Sequence, residues 1–359
     1  MKILFITPHP DEGASTRYRA RQFFSYFNSM GIECLFSPFL SSQDYNILYK
    51  RGRLAQKAFT LPKGVARRLG DVIRSRSVDI VFIHLEAWPV GLAIFERFFG
   101  LCKKPIIYDL DDAIYMKASS SVNRVASFLK NPGKIPTIIE MSDHVITCND
   151  HLRRYASEFN KNVTMIPTSV DTNKFTVRDY SLNGGRKPVI GWIGSHSTAL
   201  YLKQLREVFK QLAEKHDFVL KIVGAAERDH FPGIDTIYSD WSLKKDIAEF
   251  QDLDIGIYPL PDNEWVKGKT GFKTVQYMAA GVPCVVSRVG RNIEIVKNRV
   301  NGFLASSQQE WIDRLSCLIE NPKLREEIGL AGRKTVEEKF SIKVNGPKYI
   351  EVFNKVYDG

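Results

Sequence analysis

Short apolar runs, each just long enough for one strand and each followed by a polar loop and a helical pattern, recur along most of this 359-residue chain. The spacing predicts strands over 2–7, 32–37, 79–84, 105–108, 144–147 and 163–166. A second series follows at 189–193, 218–223, 235–238, 255–259 and 284–287, and residues 301–304 read as a turn into one more short strand. Helical patterns fall between them at 17–30, 89–100, 123–141, 150–159, 199–215 and 243–251, and three more close the chain at 308–320, 322–339 and 344–357. Strands apolar on both sides belong in a parallel sheet covered on both faces. Strict alternation with helices then predicts an α/β fold of open, doubly wound sheets.

The alternation runs twice. Between the two series lies Arg178-Asp-Tyr-Ser-Leu-Asn-Gly-Gly-Arg-Lys-Pro188, polar and glycine-containing, which reads as a linker. The expected architecture is two Rossmann-like domains facing across a cleft. Ligands of such sheets bind beyond the C-terminal ends of the strands. The polar loops 8–16, 84–88, 109–112, 194–198, 224–229 and 259–271 all fall at such ends.

The richest of these is Lys267-Gly-Lys-Thr-Gly-Phe-Lys-Thr-Val-Gln-Tyr-Met-Ala-Ala-Gly-Val-Pro-Cys-Val-Val-Ser287. Thr270 or Gly271 can cap a helix that nothing breaks before Ala280, Gly281 suits a left-handed C-cap, and Pro283 ends the pattern. A helix from about 269 puts Lys269, Lys273 and Gln276 on one face. Two lysines, free backbone N–H groups and a helix dipole would then converge on an anion, phosphate being the natural candidate. The plainer reading is a pair of solvated surface lysines.

Composition narrows the classes further. Apolar (44%) and charged (25%) contents are those of an ordinary globular protein. The apolar start is too short for a signal peptide, and Pro8 and Pro10 follow it directly. No stretch reaches the roughly 20 apolar residues of a membrane span. Five scattered cysteines without metal-like spacing point to reduced thiols in a cytoplasm. The net charge of +11 is concentrated over 50–76. There Lys50, Arg51, Arg53, Lys57, Lys63, Arg67, Arg68, Arg74 and Arg76 face a single acid, Asp71, and alternate with apolar residues. A solvated face, a nucleic-acid patch and a surface for anionic lipid compete as readings. The segment lacks the aromatic platform of single-strand binders, having only Tyr49 and Phe59.

The run Lys273-Thr-Val-Gln-Tyr-Met-Ala-Ala-Gly-Val-Pro-Cys-Val-Val286, the preceding Asp254-Ile-Gly-Ile-Tyr-Pro-Leu260 and Val300-Asn-Gly-Phe-Leu304 resemble the C-terminal domain of retaining glycosyltransferases of family 4, which have the GT-B fold. Ile107-Tyr-Asp-Leu-Asp-Asp-Ala-Ile114, Gly191-Trp-Ile-Gly-Ser195 and Ile166-Pro-Thr-Ser-Val-Asp171 resemble a bacterial branch that builds surface polysaccharides. The resemblance spans nearly the whole chain and is weakest over 38–77.

It implies glycosyl transfer from a nucleotide-diphospho-sugar, UDP- or GDP-linked, to a glycan or lipid-linked acceptor, without metal or cofactor. An acceptor domain over 1–177, the linker 178–188 and a donor domain over 189–340 follow, with a helix at 341–359 packing back toward the first domain. Gln276 falls where the family has its second glutamate, on the donor ribose. The first falls on Gly268, with Glu264 as a stand-in. The arginine and lysine that usually grip the diphosphate are absent from the loop Gly194-Ser-His-Ser-Thr198, which leaves Lys269 and Lys273 for that work. Gly194, Ser195, His196, Gly224, Gly271, Phe272 and Thr274 are the remaining donor-contact candidates in this half.

In the first half, Gly13, Arg17 and Arg19 at the first helix start are candidates for contact with phosphate or an anionic acceptor; surface arginines are the alternative. Asp111 and Asp112 are candidates for orienting the acceptor hydroxyl or stabilising a cationic sugar ring. Asp-x-Asp as a metal motif belongs to a different glycosyltransferase fold. His84 and Glu86 are acceptor-side candidates, each equally readable as a structural hydrogen bond. Retention is ascribed in this fold to same-face attack, with the leaving phosphate taking the acceptor's proton, so no glycosidase-type carboxylate pair is needed. With lipid-linked acceptors in view, the basic segment is expected to hold the protein peripherally at the inner membrane face. The rival functions are a nucleotide-sugar epimerase or hydrolase on the same fold, a nucleic-acid-binding protein, and a non-catalytic scaffold.

Overall fold

The structure is a computed structural model and describes residues 1–48, 54–116, 131–183 and 185–359. It divides into two compact units: Met1–Thr168 with Asn345–Gly359, and Ser169–Val344.

In the first unit, β1 (Lys2–Thr7), β2 (Glu33–Pro38), β3 (Ile80–His84), β4 (Ile106–Leu110), β5 (His144–Thr147) and β6 (Val163–Met165) make one sheet. Its order is β2-β1-β3-β4-β5-β6, with every neighbouring pair parallel. The side chains of β1, β3 and β4 are almost entirely buried, as their largely apolar sequences require, with His84 and Asp109 as buried polar exceptions. An aromatic cluster fills one face: Phe5 meets Phe24 and Phe82 at centroid distances of 4.7 and 4.9 Å. Two members come from the far end of the chain, with Tyr349 at 4.8 Å from Phe23 and Phe353 at 5.1 Å from Phe27.

In the second unit, β7 (Val189–Ile193), β8 (Val219–Val223), β9 (Asp235–Ser239), β10 (Ile255–Tyr258), β11 (Cys284–Ser287) and β12 (Phe303–Ala305) form another parallel sheet, ordered β12-β11-β10-β7-β8-β9. Counted from its own first strand, this is the dinucleotide-fold order. Ile190, Trp192, Phe209, Ile222 and Ile255 belong to its core. Residues 178–188 lie within this unit. Arg178 and Arg186 both pair with Asp254, at 2.5 and 2.8 Å, and Asp254 also accepts from the Val189 N–H at 2.7 Å.

The expected two-sheet α/β architecture is therefore present, while several helices are shorter than their sequence pattern. The pattern over 17–30 becomes Ala14–Arg19, a 3-10 turn Arg21–Phe23, and Phe24–Ser29, with the break at Ala20 (φ −124°, ψ −66°). The pattern over 199–215 likewise becomes His196–Ala199, a 3-10 stretch Leu200–Leu205, and Arg206–Ala213. The basic segment forms one helix, Leu54–Ser75, that accommodates Pro62; residues 50–53 and 123–130 lie outside the described residues. Its charge is not all at the surface. Arg68 is fully buried, pairing with Asp71 at 2.8 Å and donating to the carbonyls of Thr7 and Ala87, each at 2.8 Å. Burial, only partly offset by Asp71, lowers its pKa to about 10. Among the described residues, no helix is long and apolar enough to cross a membrane.

Candidate active site

The strand order of the second unit reverses at β7, so the loops after β7 and β10 flank its switch point, where ligands of such sheets bind. Beside them stands the helix Phe272–Ala279. Tyr277 fixes it to the sheet: its buried hydroxyl donates to the Ile257 carbonyl at 3.1 Å and accepts from the Ile193 N–H at 3.2 Å. Thr274 Oγ1 donates to Asn292 Oδ1 (2.8 Å), and Asn292 Nδ2 donates to the Ser287 carbonyl (3.1 Å). The helix start is thus tied to the loop after β11, and Ser287 Oγ accepts from the Leu260 N–H (2.9 Å) in the loop after β10.

Gly271 is the N-cap, with φ +65° and ψ +19°. A Cβ there would stand 2.7 Å from the Ile295 side chain, so both conformation and space call for glycine. Phe272 opens the helix, its N–H bonded to Thr270 Oγ1 at 3.2 Å. The helix begins three residues later than the sequence suggested, because Glu264–Lys267 forms a separate short helix and the left-handed Gly271 interrupts continuity. Lys269 therefore precedes the helix instead of sharing its face, and its Nζ lies 5.3 Å from the Trp265 ring centroid. Lys273 and Gln276 do come together: Lys273 Nζ donates to Gln276 Oε1 at 2.8 Å and sits 5.3 Å above the Phe250 ring. Gln276 itself is buried. Glu264 is exposed and pairs with Lys267 at 2.5 Å.

The other loops of this switch point press together. Gly224 has φ +83°, and a Cβ there would lie 2.2 Å from the Gly194 carbonyl oxygen. Gly194 N–H bonds the Val223 carbonyl at 3.1 Å. Ser195 is the exposed N-cap of His196–Ala199.

In the first unit, the reversal falls between β1 and β3. Gly13 caps the helix Ala14–Arg19 and its N–H bonds the Pro10 carbonyl at 2.9 Å. From this helix Ser15 reaches His84 Nε2 at 2.7 Å and Asp111 Oδ2 at 2.6 Å. On its other side, His84 Nδ1 meets Asp109 Oδ2 at 2.7 Å. Asp109 also holds Arg19, whose Nε donates to Oδ2 at 3.2 Å while Nη2 bonds Oδ1, and Arg19 Nη1 donates to the Ile166 carbonyl at 2.6 Å. Burial alone would raise the Asp109 carboxyl, but Arg19 and His84 outweigh it and hold it below the usual carboxylate range. Burial likewise opposes charge on Arg19, and Asp109 more than compensates, raising its pKa.

This corrects the sequence reading of Arg19. It is buried and committed to Asp109, so its charge is spent inside the fold and not on a ligand. Asp109 lies within β4 and not in the loop beyond it. Arg17 is half-buried and donates to the Asp11 carbonyl at 2.7 Å. Asp112 Oδ1 accepts from the Ala113 N–H at 2.9 Å. Glu86 pairs with the buried Lys134 at 2.9 Å, and its N–H bonds the His84 carbonyl at 2.8 Å. The roles of Ser15, Lys134 and Asn292 carried no sequence signal, because each arises from residues far apart in the chain, and Asp109 was legible only as the first residue of the 109–112 run.

Comparison with known proteins fits this arrangement. Anabaena HepE in complex with UDP and glucose has a TM-score of 0.69 at 15% identity, covering 99% of this chain and all of that one. Sucrose-phosphate synthase from Thermosynechococcus elongatus has a TM-score of 0.69 at 13% identity, covering 100% and 99%. A glycosyltransferase from Rickettsia africae has a TM-score of 0.70 at 14% identity, covering 99% and 98%. At these identities the likeness shows the fold: two Rossmann-like domains of GT-B type. No curated protein sequence matches the chain. Residues 187–321 match the family model "Glycosyl transferases group 1". Residues 187–321 are thus similar to group 1 glycosyltransferases, within a chain that has the GT-B fold.

Proposed function

We propose that this enzyme moves a sugar from a UDP- or GDP-linked donor to a glycan or lipid-linked acceptor, with retention, in the synthesis of a cell-surface polysaccharide. The observation that carries the reading is the corner made by Gly271, Lys273 and Gln276 within the group 1 domain. Breaking a glycosyl–phosphate bond builds negative charge on the departing diphosphate, and preorganised N–H groups and a lysine aimed at it lower the barrier. In this reading Lys273 and the positive N-terminal end of the helix Phe272–Ala279 meet the diphosphate, Lys269 adds charge, and Gln276 takes the ribose. The crowded backbone at Gly194 and Gly224 lets the nucleotide lie against the main chain, with Ser195 and His196 beside it. Structural neighbours bound to UDP and UDP-glucose favour a uridine nucleotide. No metal is needed where lysine and helix N–H groups carry the charge.

Thermal shift against UDP, GDP, ADP and dTDP and their glucose or mannose conjugates tests the reading. A true donor at 100 times its Kd stabilises by about 2.7 kcal/mol. No response to any of them defeats it.

The first unit supplies the acceptor side in this proposal, with Asp111 as its candidate carboxylate. It also carries a membrane-facing surface. The helix Leu54–Ser75 exposes Phe59, Leu69 and Ile73 among Lys63, Arg74 and Arg76. The neighbouring helix Ile94–Leu101, joined to it through Cys102 Sγ and the Val72 carbonyl (3.6 Å), exposes Ile94, Phe98 and Leu101. Ile73 and Leu101 are 70% and 76% exposed, unusual for large apolar side chains unless something covers them. Basic side chains around apolar ones suit an anionic lipid surface. Vesicles with anionic lipid should sediment the protein and neutral ones should not; equal behaviour with both ends the membrane assignment.

A further inference from the structure

The chain after β11 lies along the segment that leads into the helix Phe272–Ala279, and three of its successive residues touch that segment or the helix. Gly290, with φ +50°, leaves room for the Val266 carbonyl oxygen, 2.9 Å from where its Cβ would stand. Asn292 accepts from Thr274 in the first turn of the helix. Between these two, Arg291 Cβ and Cγ each lie 3.2 Å from where a Gly271 Cβ would stand, against the N-cap itself. The Arg291 side chain therefore leaves the backbone at the start of this helix. All of these residues belong to the second unit.

That placement is electrostatically unfavourable in the protein alone. The start of a helix carries partial positive charge, which acids stabilise and cations oppose. The first turn here has no acid; it carries Lys273, and Arg291 brings a second cation against the N-cap. Packing does not call for a guanidinium either, since Ile295 closes on the same glycine and an apolar chain would fill the space. Arg291 Nη1 pairs with Glu294, three residues on. The Glu294 side chain is 52% exposed and that of Arg291 only 7%, so a shielded arginine is tied to a carboxylate standing in water. A pair with one member so exposed is weak and exchangeable. Arg19 and Asp109 differ in this respect, because neither side chain of that pair reaches solvent.

We propose that Arg291 binds the donor's diphosphate, and that Glu294 is the counter-ion it exchanges for phosphate oxygens when the nucleotide-sugar enters. This rests on the donor reading given above and adds to Lys269 and Lys273 a guanidinium supplied by a different element. The difference matters chemically. A guanidinium offers two parallel N–H donors to a phosphate, which an ammonium cannot do. The diphosphate also supplies the negative charge that the helix start and its two cations lack. Glu294 is released into water, at little cost for a carboxylate already half exposed. No covalent bond is made or broken in the exchange.

The test uses the full chain and UDP, or whichever nucleoside diphosphate the thermal-shift screen selects, followed by isothermal titration calorimetry. Arg291→Met keeps an apolar stem against Gly271 and removes the charge. It should weaken binding of the diphosphate by roughly 10–100-fold, the span for one hydrogen bond to a charged group. Binding of the matching nucleoside, followed by ligand-observed NMR, should be unchanged, whereas a collapsed corner would weaken both. Glu294→Gln should tighten binding of the diphosphate by up to about fivefold, because the ligand no longer competes with an ion pair at the surface. A purely structural pair predicts the opposite, a looser corner and weaker binding. Glu294 is exposed, so this variant keeps the proposal testable even where Arg291→Met fails to fold. Affinity as high in Arg291→Met as in wild type, or unchanged or lower in Glu294→Gln, overturns the proposal and leaves the donor reading intact. A wild-type protein that binds no nucleoside diphosphate defeats the donor reading, and the proposal with it.

Discussion

Replacing Lys273 by alanine should lower kcat at saturating donor by roughly 10²–10³, equivalent to about 3–4 kcal/mol of transition-state stabilisation. The reason is positional. Lys273 sits in the first turn of Phe272–Ala279, its amine held against Gln276 Oε1 and above Phe250, and the helix is pinned to the sheet by Tyr277. An amine held in place needs no reorganisation as charge develops on the diphosphate, so its removal should cost more in rate than in donor binding. Lys273→Arg keeps charge but changes reach, and should recover only part of the loss. The folded state should be little affected, because the side chain is only half-buried. Steady-state kinetics with a circular-dichroism melt on the same preparations separates the two effects. A near wild-type kcat in Lys273→Ala would remove the lysine from the mechanism.

The second large effect is on stability. Asp109→Asn leaves the fully buried Arg19 without its counter-charge, and breaking a buried pair in this way costs about 3–5 kcal/mol. For a unit of this size, that corresponds to a fall in Tm on the order of 10 °C. Combining it with Arg19→Gln should recover part of the loss, since two amides can share a hydrogen bond without stranding a charge. The pH dependence has a definite sign. The folded-state Asp109 carboxyl is held below its unfolded value, so its contribution is present above about pH 3.9 and is lost as pH falls from there through the folded value. Asp109→Asn should lack that part of the acid-dependent loss. Equal melting of wild type and variant at pH 7 would show that Arg19 has found another partner.

The fold was legible because its signal is redundant. Each apolar strand, such as Lys2–Thr7 or Val189–Ile193, is uninterrupted and bounded by glycine or polar loops, and a dozen such signals agree. Helix boundaries were less legible where tertiary contact overrides pattern. The break at Ala20 delivers Arg19 to Asp109, and the left-handed Gly271 separates Lys269 from the helix that holds Lys273. At the donor corner, Lys273 and Gln276 were readable because they lie three residues apart on one helix. At the Ser15 corner the partners are 69 and 96 residues apart, and nothing local in the sequence distinguishes this serine from its neighbours. Charge counting over 50–76 also overstated the basic surface, because Arg68 serves as a buried tie among Thr7, Asp71 and Ala87.

The passage of Asn345–Gly359 into the first unit's core bears on how the chain is made. Phe5, Phe23, Phe27 and Phe82 are translated early, but Tyr349 and Phe353, which cover them, are made only after all of Ser169–Val344. At roughly 5–20 residues per second, that interval lasts about 10–35 s. During it the second unit, contiguous in sequence, can close its own core, whereas the first must wait with an aromatic face uncovered. Nascent first units are therefore the natural clients for a chaperone at the ribosome, and a stalled or truncated chain would leave the older half unfinished.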